Sequence, residues 1–158
     1  IITNGAVSAG KFDFVPKTIS NFKLSNFFRS VAIRPGKPIM FAKFKNRNQS
    51  FFGLPGNPIS SAACFKFFVY PYLRMILNMN AEKPFKARLK KKYLKKKKFT
   101  KFLKSKVIVN NKGMLEIEVL KGQESFKIKS FTEANAWTFF KSGKSAFKKG
   151  ELIDCFIP

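Results

Sequence analysis

The chain opens on an apolar run, Ile1, Ile2 and Thr3, that predicts the end of a buried strand and passes into a small-residue loop over residues 4–10. Residues 15–22 predict a short helix or turn. Strands are expected over residues 28–33 and 39–44, because Pro35, Gly36 and Pro38 between them forbid a continuous helix or central strand. Another strand over residues 49–52 ends in Gly53-Leu54-Pro55-Gly56-Asn57-Pro58. Asn57 suits an N-cap and Pro58 the first helical position, where its missing donor costs nothing. A helix is therefore predicted from residue 58 to about 78. Phe65, Phe67, Phe68, Val69, Tyr72, Leu73, Ile76 and Leu77 make it apolar nearly all round, the mark of a core helix that also meets another subunit. Lys66, Pro71 and Arg74 interrupt the run and argue against a membrane span.

The pattern changes at residues 81–84. Residues 107–109 and 114–120 bracket Asn110-Asn111-Lys112-Gly113. Leu115, Ile117 and Val119 alternate with Glu116 and Glu118, which predicts a hairpin with one buried face. Residues 126–128, 136–140 and 151–157 are further strand candidates, with turns at Gly143 and Gly150. The expected organisation is an α/β piece over residues 1–80 and a small, mainly β piece over residues 81–158, without internal repeats.

At 158 residues and 45% hydrophobic content, the chain is long enough for one ordinary domain or two small ones. It has no histidine, which excludes a Ser-His-Asp triad, a Cys-His pair and histidine-based metal sites. Cys64 and Cys155 form no C-x-x-C pattern, so neither zinc nor a disulfide framework is indicated, and a reduced cytoplasm is the expected setting. The chain starts on Ile1 with no secretory signal and reads as a fragment whose beginning is missing. The net charge of +24 is concentrated: residues 83–106 hold 13 basic residues and no acid. Of 32 cations 27 are lysine, and phenylalanine reaches 21 against three tyrosines and one tryptophan, a drift that A+T-rich coding produces without a partner. Base recognition favours arginine forks, and no nucleic-acid motif is present, so no specific nucleic acid is expected. A basic nucleic-acid-binding module acting through residues 90–106 is the alternative from another functional class.

Gly5-x4-Gly10-Lys11 approaches a nucleotide-binding loop but is followed by Phe12 where magnesium needs a hydroxyl, and Pro16 cuts into the helix such a loop would start. The Gly-Lys-Ser at 143–145 lacks the first glycine and reads as a turn. More telling is the succession of three loops, residues 5–10, 34–38 and 53–58, each expected at a strand end. In an open α/β sheet such loops meet at the carboxyl edge, where free amides and a helix start attract anions. Arg34 and Lys37 add positive charge. Asp13 is the only acid in the first 80 residues. Beside an anion-binding edge it can hold a metal ion or orient a polar substrate, and equally it can be an ordinary surface residue.

The runs N-G-A-V-S-A-G-K-F-D-F, V-A-I-R-P-G-K-P and F-F-G-L-P-G-N-P-I-S, in this order and spacing, resemble the molybdopterin molybdenumtransferase family, which includes the E domain of gephyrin. The likeness covers residues 1 to about 77. It continues more weakly through Ala87-Arg88-Leu89, Gln123 with Ser125, Ala134-Asn135 and the closing K-G-E-L-I-D-C-F. It implies a partial three-layer molybdopterin-binding α/β domain followed by a small mainly β domain. It also implies an enzyme that inserts molybdenum from molybdate into adenylylated molybdopterin with release of AMP, usually with Mg2+, as a cytoplasmic homodimer. By position, Asp13 matches the catalytic aspartate. Gly5, Ser8, Gly10, Arg34, Lys37 and Ser60 fall where substrate is held, and Pro55, Gly56, Asn57 and Pro58 match the loop that shapes the pocket. Lys101 or Lys104 corresponds to a further molybdate-binding cation. The chain departs from the family pattern at Ala6, where a second glycine is usual, at Arg34, where a lysine is usual, and at Glu124 and Phe126 around Ser125. The family's remaining acidic groups lie outside this stretch, so turnover by these residues alone is not expected. The related molybdopterin adenylyltransferases are the enzymatic alternative, although their loop reads G-G-T-G.

Overall fold

The structure, a computed structural model, describes residues 1–7 and 13–158. Among these the elements are β1 (Ile2–Asn4), α1 (Val15–Ser20), β2 (Leu24–Phe28), β3 (Ile33–Arg34), β4 (Met40–Phe44), β5 (Ser50–Leu54), α2 (Pro58–Cys64), a π-helical turn (Phe65–Val69), α3 (Tyr70–Ile76), β6 (Phe85–Leu89), β7 (Tyr93–Leu94), β8 (Thr100–Val109), β9 (Leu115–Val119), α4 (Lys129–Thr132), β10 (Ala136–Phe140), β11 (Ala146–Phe147) and β12 (Leu152–Phe156). The fold is mixed α/β. The chain forms two compact units: Ile1–Val31 with Pro35–Met79, and Ala32–Arg34 with Asn80–Pro158.

In the first unit the sheet runs β1-β5-β4-β2, with β1 parallel to β5 and the other pairs antiparallel. All five residues of β5 are buried, as expected for an interior strand covered on both faces. Met40, Ala42, Phe44 and Phe51 form a core with Ile19 of α1. On the helical segment that follows, Ile59, Ala63, Cys64 and Val69 are buried. β1 is at the edge of the described sheet, so Ile1 and Ile2 are exposed rather than buried as expected. The strand expected over residues 28–33 is not formed. β2 ends at Phe28, and the amide of Val31 donates to the carbonyl of Lys37 at 3.0 Å, closing a turn that removes residues 29–32 from the ladder.

The predicted long helix forms over residues 58–76, with a π turn in its middle where the amide of Tyr70 donates to the carbonyl of Phe65. The reason is Pro71, which has no N–H and whose ring would strike the carbonyl of Phe67 in a tight α-turn; the wider turn relieves both. Burial all round is not observed, because α3 has no fully buried residue and Met75, Ile76 and Leu77 are exposed. No helix among the described residues is long and apolar enough to cross a membrane.

In the second unit the strand order is β10-β12-β6-β9-β8-β3, and β10 also pairs with β8. Five strands therefore close on themselves, which removes the open edges a sheet of this size would otherwise expose. Leu89, Leu103, Ile117, Ala136, Phe140, Ile153 and Cys155 fill the interior. The hairpin is present as β8 and β9, with Val107 opposite Ile117 and Val109 opposite Leu115. Residues 126–128 are not a strand: Phe126 and Ile128 are exposed, the amide of Lys127 closes a turn on Glu124, and α4 follows. β3 joins this unit, with Ile33 opposite Thr100 and Arg34 opposite Lys101.

Candidate functional site

The register of β1 and β5 builds the glycine edge of the first unit. Parallel pairing of Asn4 with Leu54 puts the carboxyl ends of both strands side by side, so the loops they feed emerge together. The amide of Gly5 donates to the carbonyl of Leu54 at 2.9 Å. A Cβ on Gly56 would stand 3.5 Å from the Cα of Gly5, so the two loops touch through their glycines. Antiparallel pairing of Met40 with Gly53 brings the amino end of β4, and with it the turn carrying Gly36 and Lys37, to the same edge. The edge is therefore mostly backbone. Gly5 has φ +84°, where a glycine is at ease. Ala6, at φ 55°, holds a left-handed conformation that its Cβ disfavours, which is the physical reason a glycine is natural there.

Helix entry at this edge follows the expectation. Asn57 is the N-cap, its Oδ1 accepting from the amide of Ser60 at 3.5 Å, and Pro58 is the first helical residue. Ser60 and Pro55 are buried, whereas Gly56 and Pro58 are exposed. Asn4 was not singled out by the sequence; its Nδ2 donates to Ser61 Oγ at 3.2 Å and ties the end of β1 to the first turn of α2. On the turn before β4, the Cys64 thiol lies 3.4 Å from the carbonyl of Gly36, fixing that turn against the helix. Burial pushes this thiol up to about 12, so it stays protonated and serves as a packing group.

The other predicted residues divide. Ser8 and Gly10 lie outside the described residues. Asp13 is half-buried, just ahead of α1, and Lys37 is exposed in its turn. Arg34 is not in a loop beside Lys37: it belongs to β3 of the second unit, with its guanidinium 4.5 Å from the centre of the Phe99 ring. Across the ladder, Lys101 reaches the Tyr93 hydroxyl at 3.2 Å. The two cations are register partners, a juxtaposition that local sequence could not supply.

Lys104 has a different environment. It is 1% exposed, and its Nζ donates to the carbonyls of Gly122 at 2.6 Å, Glu124 at 3.1 Å and Lys127 at 3.1 Å. All three N–H groups of the ammonium are thus used, and burial lowers its pKa. Gln123 completes the clasp, taking the Lys104 amide at 3.0 Å and giving to the Lys104 carbonyl at 2.7 Å. This arrangement holds the loop that carries Ser125. Among the described residues no group of three or more Cys, Asp or Glu side chains is placed to hold a metal ion.

Residues 1–75 match the family model described as a probable molybdopterin binding domain, and residues 86–157 match the one described as the MoeA C-terminal region (domain IV). A molybdopterin molybdenumtransferase of Synechococcus elongatus is 29% identical over 154 residues, covering 98% of this chain and 37% of the relative. One of Staphylococcus epidermidis is 30% identical over 162 residues, covering 99% and 37%. The crystal structure of the molybdopterin biosynthesis moeA protein from Pyrococcus horikosii is similar with a TM-score of 0.71 at 24% identity, over 99% of this chain and 36% of that one. At that identity the likeness is one of fold. The chain spans about 37% of the length of these curated relatives.

Proposed function

Because this chain belongs to the molybdopterin molybdenumtransferase family, we propose that it supplies part of the site where molybdenum from molybdate is inserted into adenylylated molybdopterin with release of AMP. The observation that carries this reading is the contact of the Gly5 and Gly56 loops at the carboxyl edge of β1 and β5, beside the capped start of a helix. Glycines there let an anionic ligand approach the backbone closely, and the amides at the start of the helical segment favour its charge. In this reading Gly5, Pro55, Gly56, Asn57, Pro58 and Ser60 shape and line the substrate edge, and Ser8 and Gly10 keep the substrate-binding role that their positions in the sequence pattern imply. Lys37 contributes a cation there, and Asp13 is the catalytic carboxylate.

Molybdate, the pterin phosphate and AMP are all anions, and residues 1–79 carry eleven basic residues against the single acid Asp13, so the charge balance suits them. Magnesium is not built in by the described residues: one carboxylate, Asp13, is present in the first unit, and an ion there would draw its remaining ligands from water and substrate phosphate. Assembly as a homodimer in the cytoplasm belongs to the same proposal.

The test is equilibrium binding of adenylylated molybdopterin to the 158-residue chain, beside an assay of molybdate-dependent AMP release. Binding that falls at least tenfold in Lys37→Ala, with no AMP release from these residues alone, is the expected result. ATP consumption with molybdopterin would replace this reading by the adenylyltransferase one, and absence of pterin binding would remove both.

A further inference from the structure

Outside the glycine edge, the second unit has a cavity of about 760 Å³ at the bend that follows β6, lined by Arg88, Lys90, Lys91, Lys92, Lys149 and Glu116 among others. A second cavity of about 480 Å³ shares the residues of this bend, Lys90, Lys91 and Lys92. The acids around it are already engaged. Glu118 accepts from Lys90 Nζ at 2.8 Å, and Glu116 accepts from Asn110 at 2.9 Å. Elsewhere in the unit Asp154 pairs with Lys86 and Glu151 with Lys144. Lys91, Lys92 and Lys149 are exposed and form no salt bridge among the described residues, the charge of Lys91 acting on Glu118 without a direct pair, while Arg88 gives one bond, at 3.2 Å, to the carbonyl of Gly150. The backbone adds to this. The amide of Lys90 is bonded to Ile117, but those of Lys91 and Lys92 have no backbone acceptor among the described residues.

With Lys90 paired to Glu118, four cations, Arg88, Lys91, Lys92 and Lys149, stand against the one carboxylate Glu116 around a space within the range of small-molecule sites, and they form a concave surface with an excess of positive charge. A single phosphate or sulfate is too small and carries too little charge to answer all of them. A chain of linked phosphates fits better, because its successive charges can meet Lys91 and Lys92 on the bend, Lys149 and the fork of Arg88, and the free amides can take non-bridging oxygens. We propose that this bend is a binding site for a condensed phosphate, the oligophosphate chain of a free nucleotide or of inorganic polyphosphate. It is built by residues of the second unit alone. The long lysine run of residues 83–106 thus divides, with Lys90, Lys91 and Lys92 forming part of a concave site and Lys96, Lys97 and Lys98 a solvated turn.

The test is calorimetric titration of the 158-residue chain with inorganic tripolyphosphate at about 0.15 M salt, repeated with ATP. The triple variant Lys91→Glu, Lys92→Glu, Lys149→Glu is expected to bind tripolyphosphate at least tenfold more weakly. The control Lys96→Glu, Lys97→Glu, Lys98→Glu, with the same change in net charge, is expected to stay within threefold. Retained ATP binding would place the site among nucleotide sites, and loss of ATP binding with tripolyphosphate retained would restrict it to the inorganic chain; both uphold the proposal. Equal weakening by the two variants would overturn it in favour of diffuse charge attraction. So would absence of tripolyphosphate binding at millimolar concentration. The substituted residues are exposed, and unchanged far-ultraviolet circular dichroism and melting temperature would establish that both variants fold.

Discussion

The two units place polar groups by different means. In the first, with one carboxylate among residues 1–79, the chemistry sits on the backbone: glycines meet across two loops, and an asparagine caps a helix. In the second, which holds seven of the eight acids, lysines and carboxylates answer one another on the surface, and two lysines are drawn inside onto carbonyls. Lys95, 8% exposed, gives to the carbonyl of Phe99 at 2.9 Å, and burial together with the nearby Lys101 charge lowers its pKa. Backbone sites depend on close approach and backbone dihedral angles, so they fail by steric change. Buried ammonium groups depend on complete hydrogen bonding, so they fail when a partner is removed.

The largest expected effect breaks the second mode. Lys104→Met removes the charged donor from three carbonyls, leaving Ser130 Oγ on those of Gly122 and Lys127 and the Lys127 amide on that of Glu124, and should cost about 3 kcal/mol in urea unfolding, whereas Lys91→Met on the exposed bend should stay within about 0.5 kcal/mol. A loss below about 1 kcal/mol for Lys104→Met would mean that the loop over residues 122–127 does not rely on the clasp. Next comes steric failure in the first unit. A Cβ on Gly53 would lie 2.6 Å from Val7 Cγ1, a stiff β-branched side chain, so Gly53→Ala is expected to cost about 1–3 kcal/mol. Gly56→Ala, whose Cβ meets only ordinary contact, should have a smaller effect on the melting temperature.

A smaller effect concerns pH. Burial raises Cys64 to about 12 and Cys155 to about 11, so each thiol stays protonated in the folded chain above the pH at which it ionises when unfolded. Their contribution is fully present below about pH 8.5 and falls as pH rises toward 11 and 12, because the unfolded state gains by ionising. Lys95 and Lys104, with lowered values, act in the opposite sense, since folding makes each lose its proton at a lower pH than the unfolded chain does. Cys64→Ala should therefore flatten the alkaline decline of stability between pH 9 and 11. In the native wild type at pH 8 neither thiol should react with a disulfide reagent, and both should do so in denaturant; rapid native labelling would contradict the burial. The smallest effect is expected at Ala6. Ala6→Gly relieves a left-handed strain of about 1 kcal/mol but gains freedom in the unfolded chain, so a net stabilisation of no more than about 1 kcal/mol is expected in thermal unfolding.

Much of the glycine edge was legible because its signals are local. Asn57 and Pro58 mark a helix start through the backbone geometry of adjacent residues, and the turn residues around Gly36 interrupt extended structure wherever they occur. The alternation of Leu115, Ile117 and Val119 likewise follows from the pleat of a strand. The remainder depends on distant partners. Residues 126–128 are as apolar as a strand, yet a turn and the carbonyls offered to Lys104 determine their conformation. β6 carries lysine and arginine on its outer face and gave no clear signal, although it lies between β12 and β9.

Sequence by itself determined where the chain turns, where its long helix starts, and that residues 1–79 carry positive charge around one carboxylate. These rest on steric and hydrogen-bonding rules that act over a few residues. Tertiary structure alone decided that Arg34 leaves its loop to pair with Lys101. It also decided that Lys104 is buried while Lys91 and Lys92 remain in solvent, and that Gly5 meets Gly56. Each of these depends on which strand lies beside which, and ladder pairing is fixed by the burial of whole faces and the closure of the sheet, not by residues adjacent in the chain.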